Sequence, residues 1–247
     1  QWTRRIAPVK AALCAHDGAV FAAAMQGSVY CFRGSDSTAQ WSRELASAVE
    51  AAPAAWDSIL VVVTDAGDVH GLSTRTGATI WRVPTFAALQ AGPVILGSRV
   101  VVVNREGRVL AIDVYSGQVL WEQQLQVPVY YTPAAQPERI VIPLSSGDLV
   151  TLDPATGSVE SRIALNEPPG ASPQLVGDTA YQLLRKGVLL RVDLVRGGWE
   201  IVYTLPLRSQ TPPLLTPRGI VLVDEDGEAV LGGTGSPPSR SASGEMP

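Results

Sequence analysis

The chain has 247 residues, a formal net charge of −4 at pH 7 and a sequence pI near 5.2, a balance that argues against a nucleic-acid-binding surface. Its longest apolar runs, such as the one that begins at Ile59, are far shorter than the roughly 20 residues that a membrane-spanning helix requires. Hydrophobic residues make up 46% of the chain, which is enough for a sizeable core.

Glycines recur every 40 residues along the chain, and this period defines the predicted architecture. Prolines keep the same spacing from Pro53 to Pro213. Several independent residue sets that share one period indicate internal repeats. One set of glycines comprises Gly27, Gly67, Gly107, Gly147, Gly187 and Gly227, and a second set ten residues later comprises Gly77, Gly117, Gly157 and Gly197.

Each repeat is predicted to form four short strands. In the third repeat these are residues 93–96, 99–103, 109–112 and a last strand that carries Trp121. Gly and Asp residues between them favour tight turns. The middle strands are apolar on both faces, so each sheet must be covered on both sides. Four-stranded antiparallel units of roughly 40 residues are typical of β-propeller blades, and a solenoid is the alternative.

Six repeats predict an all-β, six-bladed β-propeller over residues 1–231. Trp2 falls at a fourth-strand position ahead of the first full repeat, whereas the last repeat supplies three strands. We therefore expect residues 1–6 to pair as the fourth strand of the last blade, which closes the ring and covers both sheet edges. Residues 232–247 are rich in Gly, Ser and Pro and predict a disordered extension.

Cys14 and Cys31 are predicted on the first and third strands of the first blade. Neighbouring strands lie ~4.8 Å apart, so these two strands are separated by more than a disulfide spans. We expect two buried free thiols. Because the chain begins at Gln1 rather than Met, we also expect a preceding segment that was removed or left out, such as an export signal.

The motif that runs from Ala111 to Trp121, with Asp113, Ser116 and Gly117 between them, resembles the repeat of pyrroloquinoline-quinone-like (PQQ-like) propellers. In that family the Trp of the fourth strand docks onto the neighbouring blade, near the Gly of that blade's turn. The resemblance implies blade-docking roles for Trp2, Trp41, Trp81, Trp121, Gly77, Gly117 and Gly157.

Two repeats depart from this pattern. Ser161 and Ile201 stand where the motif has Trp. Trp199 lies two residues before Ile201, and residues i and i+2 of a strand point to the same face. Trp199 is therefore a candidate replacement for the missing indole.

Within the family that the motif resembles, we expect this chain in the non-catalytic branch. The family contains quinone-dependent dehydrogenases and non-catalytic propellers, among them the lipoprotein of the outer-membrane protein assembly machinery. The enzymes are longer and usually eight-bladed, and they bind quinone with calcium over the central channel. They often carry a disulfide between adjacent cysteines, which Cys14 and Cys31 cannot provide. The assembly lipoproteins are also usually longer than this chain. We expect no catalytic, cofactor-binding or metal-binding residues.

The titratable residues favour structural roles. Asp113, Asp153 and Asp193 recur at one repeat position and are interpreted as turn residues. The acidic segment 224–228 lacks the spacing of a calcium loop and predicts a solvated hairpin tip. His16 and His70 have no second His, Cys or acidic residue at the spacing of a zinc site, so they are interpreted as structural.

Tyr130, Tyr131 and Arg208 lie between the last strand of one repeat and the first strand of the next. Exposed aromatic and Arg side chains are typical of protein interfaces, with core packing as the alternative. Because the predicted ring is complete and shows no constellation of reactive residues, the sequence predicts a scaffold or accessory subunit of an envelope or membrane-associated complex. This subunit is expected to be periplasmic or extracellular and held at the membrane by a partner or a preceding segment. The alternatives are a detached sensor domain of a receptor or kinase, and a small quinone- or sugar-binding enzyme at the channel mouth.

Overall fold

The computed structural model describes residues 6–33, 39–205, 211–217, 219–223 and 229–232. Within these ranges all regular secondary structure is β-strand, and the strands form six antiparallel sheets. Five of these sheets have four strands and one has three. The all-β prediction and the four-stranded antiparallel repeat are confirmed.

Within each sheet the strands follow the order of the chain, and each sheet begins with a three-residue strand. The first sheet contains β1 (Cys14–His16), β2 (Ala19–Ala23), β3 (Ser28–Arg33) and β4 (Ala39–Glu44), and the second β5 (Ala54–Trp56), β6 (Ile59–Val63), β7 (Asp68–Ser73) and β8 (Thr79–Pro84). The third contains β9 (Val94–Leu96), β10 (Arg99–Val103), β11 (Arg108–Asp113) and β12 (Val119–Gln124), and the fourth β13 (Ala134–Gln136), β14 (Arg139–Pro143), β15 (Asp148–Leu152) and β16 (Val159–Ala164). The fifth contains β17 (Gln174–Val176), β18 (Thr179–Leu183), β19 (Val188–Asp193) and β20 (Trp199–Thr204), and the sixth β21 (Leu214–Thr216), β22 (Gly219–Val223) and β23 (Ala229–Gly232).

The short first strands of neighbouring sheets contact one another. β1 contacts β5, β5 contacts β9, β9 contacts β13, and β13 contacts β17. The sheets are therefore arranged with their first strands toward a common centre and their fourth strands outward. This is the arrangement of blades in a β-propeller.

The core lies between successive sheets. Strand β6 is buried on both faces: Leu60 packs with Phe21 and Trp41 of the first sheet, whereas Val61 packs with Val100 of the third. A strand that is covered on both sides must be apolar on both sides, which explains the unbroken apolar run that begins at Ile59.

Antiparallel order places two kinds of segment at one edge of every sheet. The turn between the second and third strands lies there, and so does the connection from the fourth strand to the next sheet. We call this end of the strands the connection edge, as distinct from the edge strands at the sides of the sheet. Gly107 shows how tightly its parts pack: its φ is 79°, and a Cβ there would lie 2.4 Å from the backbone O of Val127. Only glycine tolerates both conditions.

Both cysteines are free, as predicted, but only Cys31 is buried. Cys14 is partly buried because β1 is a first strand with a hydrogen-bonded neighbour on one side only. Burial raises the pKa of both thiols. Trp2, Arg208, the acidic segment 224–228 and the tail after residue 232 lie outside the described residues.

Candidate functional site

Trp81 joins the second sheet to the third. Its side chain is buried on β8, and its indole Nε1 donates a hydrogen bond to the backbone O of Val114, 2.8 Å away in the turn after β11. A Cβ added to Gly117 would lie only 2.7 Å from the indole Cγ. We call this pairing of an indole with the turn of the next sheet a tryptophan clamp.

The clamp recurs at two more seams, a seam being the contact between neighbouring sheets. The indole Nε1 of Trp41 donates to the backbone O of Thr74 at 2.9 Å, and that of Trp121 donates to Pro154 O at 2.9 Å. Their rings would lie 2.5 and 2.4 Å from a Cβ at Gly77 and Gly157, respectively. The structure therefore brings together three of the Trp–Gly pairs that the resemblance implied.

The seam between the fourth and fifth sheets has no such clamp in the described residues. Ser161 takes the Trp position on β16, and no atom lies within 4 Å of a Cβ built on Gly197. The hydroxyl oxygens of Ser161 and Thr151 are buried and have no hydrogen-bond partner among these residues. Gly197 therefore lies in the turn at this seam without an indole packed against it.

Trp199 does not replace the missing indole, so that expectation was wrong. The third and fourth strands shift register after Ala111 in the third sheet, and a shift of one residue turns the side chains that follow it to the opposite face. Trp199 lies beyond the corresponding shift in the fifth sheet and pairs with Val192, so it points back toward the fourth sheet, where its Nε1 donates to the backbone O of Ala164 at 3.0 Å. Because the fifth sheet shifts two repeat positions earlier, Ile201 is turned to the same face as Trp199.

The recurring aspartates stabilise turns. Asp113 Oδ1 accepts hydrogen bonds from the backbone N–H and hydroxyl of Ser116, both at 2.8 Å, and these bonds hold the pKa of Asp113 below its ordinary value. Backbone N–H groups lower the pKa of Asp153 and Asp193 in the same way. His16 Nε2 lies 2.9 Å from Asp57 O, and burial lowers the pKa of His70. Over the described ranges, no group of three His, Cys, Asp or Glu residues could hold a metal ion.

At the connection edge, each turn is hydrogen-bonded to the connection before it. The backbone N of Arg105 donates to the O of Ala88 at 2.8 Å, and that of Ser145 donates to Pro128 O at 3.0 Å. These bonds fix the turn of one sheet against the segment that leads into the same sheet. Side chains that project from this edge are therefore held by a rigid backbone.

Phe86 projects from the connection edge with 81% of its surface exposed. Its φ is 65°, which is uncommon for a bulky residue. Gln126 and Asn166, one and two repeats later, have φ values of 57° and 63°, so the turn is a feature of the repeat. The exposed aromatic ring at this position is specific to Phe86.

Tyr130 lies on the next connection and is exposed, and the guanidinium carbon of Arg105 is 5.4 Å from the centre of its ring. This geometry is a cation–π contact. Tyr131 is only partly buried and does not pack fully into the core. Of the residues predicted for an interface, the structure thus places Tyr130 in an exposed aromatic and cationic surface.

An open cavity of about 530 Å³ lies between Phe86 and the next connection. We call the cavity and Tyr130 together the Phe86 surface. One side of the cavity is apolar and the other carries charge. The lining residues are Phe86, Ala87, Ala88, Arg105, Glu106, Gln126 and Pro128.

Sequence reasoning missed Phe86 and Arg105. The repeat itself carried the signal, because the residues at the position of Phe86 in the neighbouring repeats are Ala46, Gln126 and Asn166. An aromatic side chain at a position that is otherwise small or polar has no role in the repeated packing. It is therefore a candidate for a role at the surface.

The fold and the repeat motif define a propeller with PQQ-like repeats. Residues 25–231 match the family model described as outer membrane protein assembly factor BamB. The chain therefore belongs to this family. A comparison with curated proteins gives no match.

Solved structures show the same fold. BamB from Moraxella catarrhalis has a TM-score of 0.79 and 22% sequence identity, over 94% of this chain and 74% of that one. The computationally designed protein Ika8 has a TM-score of 0.76 and 17% identity, over 90% of this chain and 70% of its own.

Enzymes share the fold as well. The quinohemoprotein alcohol dehydrogenase ADHIIG from Pseudomonas putida HK5 has a TM-score of 0.67 and 16% identity, over 91% of this chain. The corresponding enzyme from Comamonas testosteroni has a TM-score of 0.66 and 13% identity, also over 91%. This chain spans 45% and 46% of these dehydrogenases, less than half of each. Likeness at this level of identity concerns the fold alone.

Proposed function

We propose that this protein is a non-catalytic, protein-binding accessory subunit of an outer-membrane protein assembly complex and works in the periplasm. Membership of the family described as outer membrane protein assembly factor BamB supports the class of complex. The observation that carries the proposal for this chain is the Phe86 surface, where an exposed aromatic ring, a cation and a second aromatic residue adjoin a cavity. Aromatic and Arg side chains contribute most strongly to protein interfaces.

The proposal includes the complete propeller as the binding platform. We infer six blades over residues 1–231, with residues 1–6 as the fourth strand of the sixth sheet and residues 232–247 as an extension. The support is the phase of the repeat, since the described part of the sixth sheet has three strands and the other five sheets have four. In the described residues no helix is long and apolar enough to cross a membrane. Membrane association would then come from a partner or from a preceding segment.

Site-specific crosslinking in intact envelopes tests the proposed function. A photoreactive phenylalanine analogue replaces Phe86 or Tyr130 in turn. The matched control carries the analogue at Tyr115, another exposed aromatic residue, in a turn at the opposite edge of the third sheet. We expect crosslinks to an envelope protein from positions 86 and 130 and few from position 115. Equal crosslinking from all three positions, or none from 86 and 130, would contradict the proposal.

A quinone-dependent enzyme is the second candidate, because quinohemoprotein dehydrogenases share the fold. Titration of the purified protein with pyrroloquinoline quinone and calcium distinguishes the two functions. The accessory-subunit proposal expects no shift of the quinone absorption band and no dye-linked dehydrogenase activity. A saturable shift together with such activity would replace the proposal with the enzyme.

A further inference from the structure

We propose that the Phe86 surface binds an extended, acidic segment of the partner protein, with a partner carboxylate on Arg105 and a neighbouring apolar side chain against Phe86. The inference rests on the proposed function and names the chemistry that the partner presents. Two features of the surface carry it. They are the unpaired charge of Arg105 and the apolar wall beside it.

Two arginines contact the aromatic rings of this surface, and they differ in how their charge is paired. Arg108 is engaged by Glu122, with Nε 2.6 Å from Oε1 and Nη2 2.8 Å from Oε2, and its Nη1 donates to the backbone O of Thr85 at 3.3 Å. Its remaining contact is with the ring of Phe86, 5.7 Å away. The charge of Arg108 is therefore neutralised by Glu122, and its guanidinium lies over the ring of Phe86.

Arg105 has no carboxylate within 4.0 Å in the part of the chain that the structure describes. Its side chain contacts the ring of Tyr130, and its backbone N is bound to Ala88. The guanidinium is thus held in place while its hydrogen-bond donors remain available. A carboxylate accepts two parallel bonds from such a group, which makes it the ligand that arginine binds best.

The wall of the cavity next to Arg105 is apolar. Phe86, Ala87, Ala88 and Pro128 form it, and Phe86 is 81% exposed. Burial of an aromatic ring is a large favourable term in protein association. The volume of about 530 Å³ lies within the range of roughly 300–1,000 Å³ that is usual for ligand pockets. An apolar side chain beside the partner carboxylate would fill this space.

Other charged groups near Arg105 limit the affinity. Glu106 lines the same cavity, and Asp65 is close enough for Arg105 to lower its pKa, although burial and Glu50 raise that pKa overall. Lys10 also acts on Asp65. Glu106 repels an acidic segment, so its replacement by Gln should strengthen binding. A surface selected for basic partners would show the opposite response.

Binding of synthetic peptides tests the inference directly. The probe is a fluorescent twelve-residue peptide with Asp-Leu-Phe at the centre of a Gly-Ser sequence, and matched peptides carry Asn or Lys in place of Asp. We expect the Asp peptide to bind most tightly to the full chain. Arg105→Ala should weaken it about fivefold, the upper end for an ion pair at a protein surface. Glu106→Gln should strengthen it about twofold.

Charge reversal and a matched control separate a direct contact from a change in net charge. Arg105→Glu should bind the Lys peptide more tightly than the Asp peptide. Arg75→Ala removes the same charge from an exposed turn at the opposite edge and should leave the Asp peptide's affinity unchanged. The far-ultraviolet spectrum and melting temperature of each variant should match those of the parent. Equal affinity for the Asp and Asn peptides, or equal losses in Arg75→Ala and Arg105→Ala, would overturn the inference.

The crosslinking experiment distinguishes failure of this inference from failure of the proposed function. If position 86 crosslinks to an envelope protein and Arg105→Glu leaves the yield unchanged, the partner is not acidic and only the inference is wrong. If neither position 86 nor position 130 gives a crosslink, both proposals are wrong. Loss of the crosslink in Arg105→Glu but not in Arg75→Ala is the result that we expect.

Discussion

The second and third sheets meet through the clamp of Trp81, whereas the fourth and fifth sheets meet without a clamp, because Ser161 takes the Trp position. The indole at this second seam is that of Trp199, which points back from the fifth sheet to Ala164. Both seams keep a glycine in the adjoining turn, Gly117 with a φ of 74° and Gly197 with a φ of 79°. At the first seam the glycine is required for its backbone angle and for the close approach of the ring. At the second seam only the backbone angle requires it.

This difference shows that glycine occurs in these turns for two separate reasons, the backbone angle and the close approach of an indole. The turn favours glycine in the second to fifth sheets through its left-handed backbone. The clamp imposes glycine only where an indole lies against it. The turn of the fifth sheet has the glycine without a clamp against it. A regular spacing of glycines along the chain therefore does not establish that the same indole packing occurs in each repeat.

The largest expected effect comes from opening an existing clamp. Trp81→Ala removes a buried indole and its hydrogen bond to Val114, so we expect the free energy of unfolding to fall by about 3–5 kcal/mol. Trp56→Ala is the control, because Trp56 lies on a short first strand with 40% of its surface exposed, and should cost less than about 1 kcal/mol. Chemical denaturation measures both. Similar losses in free energy of unfolding in the two variants would show that the clamp stabilises the fold no more than a partly exposed Trp does.

The second prediction concerns the sixth sheet. Deletion of residues 1–6 should leave β23 as an uncovered edge and lower the free energy of unfolding by about 2–4 kcal/mol, from a few hydrogen bonds of roughly 0.5–1.5 kcal/mol each. Aggregation should increase through the same edge. Deletion of residues 236–247 is the control and should change neither property. If the first deletion melts like the parent protein in calorimetry and light scattering, the proposed ring closure and the count of six blades are wrong.

The third prediction compares the two glycines. Gly117→Ala places a methyl group in the left-handed region and against the indole of Trp81, so we expect a loss of about 2–4 kcal/mol. Gly197→Ala meets only the backbone cost, about 1–2 kcal/mol, because nothing lies near its Cβ. Thermal melting of the two variants measures the difference. Equal losses would mean that the ring of Trp81 moves aside without cost.

The sequence predicted the repeated parts of the molecule well and the exceptions poorly. The 40-residue period and the runs of valine sufficed for the four-stranded sheets, because glycine turns and two-sided burial act in every repeat. The direction of Trp199 was missed because the rule that residues i and i+2 share a face says nothing of the register shift between β19 and β20, which turns both Trp199 and Ile201 toward the fourth sheet. Phe86 was missed because its role lies outside the repeat. Tyr130 was predicted at an interface, but the sequence pattern does not bring it together with Arg105, which lies on a turn 25 residues earlier.

The smallest expected effect comes from building a clamp where the chain lacks one. In the three clamps the indole bonds the backbone O 33 residues further on, which predicts that a Trp at position 161 would reach Leu194 O. Thr151 pairs with Ser161, as Ala111 pairs with Trp121, so the variant combines Ser161→Trp with Thr151→Ala to make room for the ring.

The double variant should be more stable than the parent by about 1 kcal/mol, because the indole fills the space at Gly197 and the double change removes two buried hydroxyls without partners. Thr151→Ala alone is the control for the second of these gains. Denaturation curves would show the gain as a higher midpoint with an unchanged slope, since the surface exposed on unfolding hardly changes. A double variant less stable than Thr151→Ala would mean that other side chains already fill the seam between the fourth and fifth sheets. The seams with and without a clamp would then be equally well packed.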